Sequence, residues 1–148
     1  MSRGKAVPAA LRAEDYTKLA QFRYALRQFL RFSERAAGQV GLTGQQYQAM
    51  LVVRSRAEGE PITIAELARE LLVRHHSAVG LVDRLVAHGH IVRVRAATDQ
   101  RKVLVRLTPK GERELGRLAS VHRRKLHRIT PDIFRALGAL TGAWRREA

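Results

Sequence analysis

Cysteine is absent from this chain of 148 residues, proline occurs 4 times, and only 13 residues are acidic. Without thiols there can be no disulfide, no thiolate metal centre and no direct cysteine redox sensing. With so few prolines, 11 glycines and 45% hydrophobic residues, the composition is that of an ordered, largely helical protein. Long apolar runs are missing too: nothing approaches the roughly 18 residues of a membrane span. The opening Met1-Ser-Arg-Gly-Lys5 leads into no hydrophobic region of the signal-peptide kind, so a cytoplasmic location without a membrane partner is the expectation. Gly-x-Ser-x-Gly, a Walker loop, His-Glu-x-x-His and any recognisable pair of acids are likewise absent, so no catalytic residue is assigned and no enzyme is expected.

The scarcity of acids stands against 28 Lys and Arg, a formal charge of +15. A field of that sign attracts polyanions. Nucleic acid leads, because an anionic membrane surface would call for a basic amphipathic anchor beside a hydrophobic stretch or a lipidation motif, and neither is found. Most of the basic residues are arginine, whose planar guanidinium suits phosphate and guanine.

Residues 1–12 mix Gly, Pro and scattered charge with no apolar period and read as a mobile basic arm. From Glu14 to about Ala37, Leu19, Phe22, Leu26 and Phe29 recur at spacings of three and four, which predicts a long amphipathic helix. Tyr16, Tyr24, Leu30 and Phe32 widen its apolar surface beyond one stripe, so it has two surfaces to cover, one of them on a second subunit. Gly38 and Gly41 end it. Thr43-Gly-Gln-Gln46 and Thr63-Ile-Ala-Glu66 both have capping-box spacing. They predict one helix running to about Ala57 and a short one carrying Ile64, Leu67, Ala68 and Leu71. After a turn near Val73, a fourth helix is predicted from His75 or His76 to His88, with Val79, Val82, Leu85 and Val86 inward and Gly89 at its end. The β-branched runs Ile91–Val94 and Val103–Leu107 flank the polar Asp99-Gln-Arg-Lys102, a hairpin with a basic tip. Thr108-Pro109 and Thr130-Pro131 each place a capping hydroxyl before a proline suited to the first helical position. They predict a fifth helix to about Arg128 and a sixth in which Ile133, Leu137, Leu140 and Trp144 form an apolar stripe.

Two short helices joined by a tight turn and followed by a basic hairpin make a winged helix-turn-helix pattern, one helix suiting the major groove and the loop reaching the minor groove or backbone. From Arg74 to Arg106 seven basic residues (Arg74, Arg84, Arg93, Arg95, Arg101, Lys102, Arg106) stand against two acids, Asp83 and Asp99. The DNA-contacting set is therefore Arg74, His75, His76, Ser77, Gly80 and Arg84 on the fourth helix, with Asp99, Arg101 and Lys102 on the hairpin. A carboxylate aimed at phosphate would repel it, so Asp99 either holds the Arg101 guanidinium or closes the hairpin turn.

The segments Leu42-Thr-Gly-Gln-Gln-Tyr47, Ala65-Glu-Leu-Ala68, Leu81-Val-Asp-Arg-Leu85 and Gly89-His-Ile91, and above all Asp99-Gln-Arg101 followed by Val105-Arg-Leu-Thr108 and Gly111, resemble the MarR family of bacterial regulators. The resemblance runs over roughly residues 14–146. It implies a mainly α (α+β winged-helix) fold of six helices and a hairpin wing in an intertwined homodimer, with one domain over 13–148. The DNA-binding unit then lies at about 43–111 and the dimerisation helices at about 13–37 and 109–146, using Leu19, Phe22, Leu26, Ile133, Leu137, Leu140 and Trp144. It further implies a transcription regulator bound to a pseudo-palindromic duplex operator, Arg101 in the minor groove and the helix from His75 in the major groove. The expected mode is repression weakened by a small phenolic or anionic aromatic ligand.

Histidines 75, 76, 88, 90, 122 and 127 raise a metal reading, but without cysteine, and with His88-x-His90 straddling a Gly turn, no set of ligands assembles. No metal and no cofactor is assigned. His122 falls with Leu115, Leu118, Ala119 and Leu126 on the inner face of the fifth helix. A hydrogen-bonded core histidine is its first reading and a ligand contact its second. The alternative functions are an architectural DNA-binding protein without an effector and a metal-responsive regulator using these histidines.

Overall fold

Threonine hydroxyls begin three of the elements that carry the fold. The structure, a computed structural model, describes residues 11–56 and 60–141. In chain order these form α1 (Ala13–Gly38), α2 (Gly44–Arg54), β1 (Ile62–Thr63), α3 (Ile64–Leu71), α4 (His75–Ala87), β2 (Ile91–Arg95), β3 (Val103–Leu107) and α5 (Pro109–Thr141). Thr43 Oγ1 accepts from the Gln46 amide at 3.1 Å while Gln46 Oε1 accepts from the Thr43 amide at 2.8 Å, a complete capping box at the start of α2. Thr63 and Glu66 repeat it for α3, at 3.1 and 2.9 Å. Each satisfies orphan amides and is worth about 1 kcal/mol.

The ends are as specific as the starts. Leu72 closes α3 with left-handed backbone (φ 56°), and the Val73 amide reaches back to the Ala68 carbonyl at 3.0 Å. At the end of α4, Gly89 has φ 75°, and the amides of Gly89 and His90 both return 2.9 Å to the carbonyls of Val86 and Leu85. This is a Schellman turn, and the positive φ is the reason glycine stands there.

The strands form an antiparallel sheet in the order β1-β3-β2. The hairpin register runs from Ile91 opposite Leu107 to Arg95 opposite Val103. Strand β1 is an addition to the sequence reading: Thr63 serves both as a cap and as a sheet residue opposite Leu104, and two residues are too few to show a period.

Contacts divide the chain into two compact units, residues 1–30 with 125–148, and residues 31–124. The second holds the apolar core, in which Met50, Ile62, Leu67, Leu81, Leu85, Ile91 and Val105 are fully buried. In the first, none of the described apolar side chains is buried. Leu19 and Leu26 are exposed, and Phe22, Ile133, Leu137 and Leu140 are half-buried. Trp144 and nearly all of the N-terminal arm lie outside the described residues.

The fifth and sixth predicted helices are one: α5 runs through Pro131 without a break. Thr130 does not cap a new helix. Its hydroxyl donates back to the Leu126 carbonyl at 2.6 Å, as a threonine inside a helix does. None of the described helices is long and apolar enough to cross a membrane.

The Glu66 carboxyl is held below the ordinary glutamate range, first by the Thr63 amide, then by the Thr63 hydroxyl, with Arg56 and Arg69 adding attraction and desolvation opposing. A lowered folded pKa gives stability above the unfolded pKa that is lost as pH falls through the folded one. Glu66→Gln is therefore expected to be less stable than the parent at neutral pH and to lose less on acidification. Urea melts at about pH 7 and about pH 3, on either side of the glutamate range, read this, and parallel pH dependence in the two proteins would refute it.

Candidate nucleic-acid interface

Helix α4 begins without a side-chain cap. Arg74 is its N-cap residue, no acid lies in the first turn, and the Ser77 and Ala78 amides turn back to the Arg74 carbonyl at 3.0 and 3.1 Å. The helix dipole and the early amides of this turn favour an anion. Arg74, His75, His76 and Ser77 are all exposed around them. One turn on, a Cβ at Gly80 would meet only the Arg84 guanidinium at 3.7 Å, so the face between His76 and Arg84 is low enough for another surface to approach. The sequence-assigned residues of α4 thus share one exposed end and side.

The hairpin presents its charge at the tip. Asp99 Oδ1 accepts the Arg101 amide at 3.0 Å, and the Asp99 carbonyl accepts the Lys102 amide at 3.0 Å. Of the two roles open to Asp99, the structure has it closing the turn, while Arg101 and Lys102 project as exposed cations. Two further arginines brace this element. Arg95 Nη1 donates to the Gln100 carbonyl at 2.7 Å, and Arg93 pairs with Asp83 of α4. The sequence marked Arg93 and Arg95 only as positive charge, because their partners are fixed by the hairpin register and the packing of β2 on α4.

Thr108 and Gly111 join this unit to α5. The Thr108 amide donates to the His90 carbonyl at 3.0 Å, its hydroxyl to the Gly89 carbonyl at 2.5 Å, and the Gly111 amide donates to that hydroxyl at 3.0 Å. A side chain at Gly111 would collide with the His90 carbonyl.

His122 is buried. Nδ1 lies 2.7 Å from the Leu118 carbonyl, which can only accept, so Nδ1 donates to it, and Nε2 is hydrogen-bonded to the Ser33 hydroxyl at 2.8 Å. The ring stacks on Tyr47 at 4.2 Å and meets Phe32 edge-on at 5.5 Å. Burial pushes the Tyr47 phenol up. His122 is thus built into the packing of α1, α2 and α5. An open groove of about 470 Å³ lies instead in the first unit, with Lys18, Tyr24 and Gln28 of α1 facing Ile129, Asp132 and Arg135 of α5. Among the described residues no three His, Asp or Glu are grouped to hold a metal ion.

Residues 40–102 match the model of the MarR family. AbsC, a MarR family transcriptional regulator from Streptomyces coelicolor, has the same fold, with a TM-score of 0.74 at 19% identity over 92% of this chain and 93% of that one. The HTH-type transcriptional regulator FarR of Neisseria gonorrhoeae is 32% identical over 75 residues, 51% of this chain and 49% of that protein. A mutant MarR from E. coli, solved with operator DNA, gives a TM-score of 0.63 at 24% identity over 80% of this chain and 83% of that one. The chain spans about half the length of the curated relatives it matches.

Three residues of the hairpin and its exit therefore have separate duties: Asp99 shapes the turn, and Thr108 and Gly111 seat α5. Gly111→Ala is expected to cost about 1–3 kcal/mol, because a backbone carbonyl cannot yield to a new methyl group. Gly116→Ala, on the same helix with open space around its Cβ position, is expected to gain up to about 1 kcal/mol from helix propensity. Denaturant unfolding of both variants checks this, and equal effects would contradict the close approach at Gly111.

Proposed function

We propose that this protein is a sequence-specific transcription regulator of the MarR type that binds duplex DNA as a homodimer and represses until a small ligand releases it. The observation that carries the reading is where the charge is left. Of the two acids between Arg74 and Arg106, Asp83 is engaged by Arg93 and Asp99 by the Arg101 amide. Arg74, Arg84, Arg101 and Lys102 have no carboxylate partner among the described residues and lie exposed on α4 and the wing tip. The major groove admits an α-helix, and an adjoining arginine suits the narrow minor groove.

Two copies follow from the apolar surface. Of the eleven large hydrophobics exposed among the described residues, eight (Leu11, Tyr16, Leu19, Tyr24, Leu26, Leu30, Leu126, Phe134) lie in the unit in which none of the described apolar side chains is buried. A second copy would cover them, placing two recognition helices about 34–36 Å apart on successive major grooves. Selection from random duplexes is expected to yield a two-fold site bound by two chains. Arg101→Ala should weaken all duplexes and lower the salt slope by about one, whereas His76→Ala should change preference at one base position. Equal, salt-independent losses for both, or one chain per site, would overturn the assignment.

The ligand reading is supported by the groove of the first unit, where Lys18 supplies a cation beside the Arg135–Asp132 pair and Tyr24 an aromatic wall for an aromatic carboxylate. Adding benzoate-type and phenolic acids to the operator complex is expected to release DNA, and Tyr24→Ala to reduce the response. Release unaltered in Tyr24→Ala would exclude this groove.

A further inference from the structure

The recognition helix and the wing are joined by a very short piece of chain. Helix α4 ends at Ala87 and β2 begins at Ile91, and between them Gly89 stands at positive φ. Such a joint can pivot, yet a protein that engages two grooves at once needs helix and wing at a fixed mutual angle. Every carbonyl of the joint is held by Thr108 or the start of α5. The His88 carbonyl accepts from Lys110 Nζ at 2.7 Å, and Thr108 takes the carbonyls of Gly89 and His90 at 2.5 and 3.0 Å. A side-chain bond adds to these: His90 Nε2 meets the Glu114 carboxylate one turn further along α5.

That pair lies outside the wing signature, and its chemistry is unusual for the place. His90 is only 4% exposed, and its Nδ1 has no hydrogen-bond partner among the described residues. A leucine or phenylalanine could fill such a position without leaving a buried nitrogen unmet. What imidazole adds is direction, since a hydrogen bond to a carboxylate fixes an angle that apolar contact leaves free. Glu114 is also an acid inside a strongly basic unit. By charge alone, its removal would strengthen the hold on any polyanion.

We propose that His90 and Glu114 are a positioning pair, which locks the recognition helix and the wing into one body so that operator affinity depends on two residues that touch no DNA. This rests on the DNA-binding reading above. The test uses the full chain and the duplex it selects, at a temperature where circular dichroism shows each variant folded. Glu114→Ala is expected to weaken operator binding about tenfold while leaving affinity for an unrelated duplex unchanged or higher, the opposite of a pure charge effect. Glu114→Gln, which keeps an acceptor for Nε2–H, should stay within about threefold of the parent. In the Glu114→Ala background, Arg101→Ala should cost less than in the parent, because a loose wing contributes less; independent sites would instead be additive. Should Glu114→Ala fail to fold, His90→Phe fills the same space without the bond and should show the same selective loss. A folded Glu114→Ala or His90→Phe that binds the operator as tightly as the parent overturns the proposal while leaving the DNA-binding reading intact. A parent chain that selects no operator overturns both.

Discussion

The first turn of α5 pressed against the carbonyls of Gly89 and His90 is the contact from which the geometry of the surface formed by α4 and the hairpin follows. A helix end leaves carbonyls without intrahelical partners. At the end of α4 the Schellman turn satisfies those of Leu85 and Val86, and Lys110 and Thr108 satisfy those of His88, Gly89 and His90. The approach is possible only because residue 111 lacks a Cβ. The consequence reaches both sides of the joint: α4 cannot swing away from β2, and β3 passes into α5 at a fixed angle.

Charge is distributed by the same packing. Both acids between Arg74 and Arg106 are engaged, Asp83 pinning an arginine and Asp99 shaping backbone. Arg93 on Asp83 ties strand to helix, and the Asp99 carboxylate closes the wing turn. The cations that remain stand at the exposed start of α4 and at the hairpin tip. The first unit has the reverse character: none of its described apolar side chains on α1 and α5 is buried.

Much of this was legible in the residues. Both capping boxes, the Gly89 turn, the hairpin and the Thr108-Pro109 start depend on chemistry within about four residues of chain, which is the reach of a side-chain cap or a helical turn. Thr130-Pro131 shows the limit of such reasoning. It has the same two residues as Thr108-Pro109, but at 108 the chain arrives extended from β3, so the hydroxyl is free to cap. At 130 the chain arrives already helical, and the hydroxyl turns back to Leu126. The dipeptide permits either outcome, and the conformation delivered by the preceding element decides.

The sequence by itself determined the positions and types of the helix-turn-helix and hairpin elements and the sign of their charge, because periodicity, caps and net charge are properties of neighbouring residues or of simple sums. Tertiary structure alone decided what those residues hold. It assigned Asp99 to the turn instead of to a guanidinium, set His122 between Ser33, Tyr47 and the Leu118 carbonyl, and brought Glu114 to His90 across 24 residues. Such pairings depend on the register of two strands and on the packing of whole helices, which the order of residues along one element does not express.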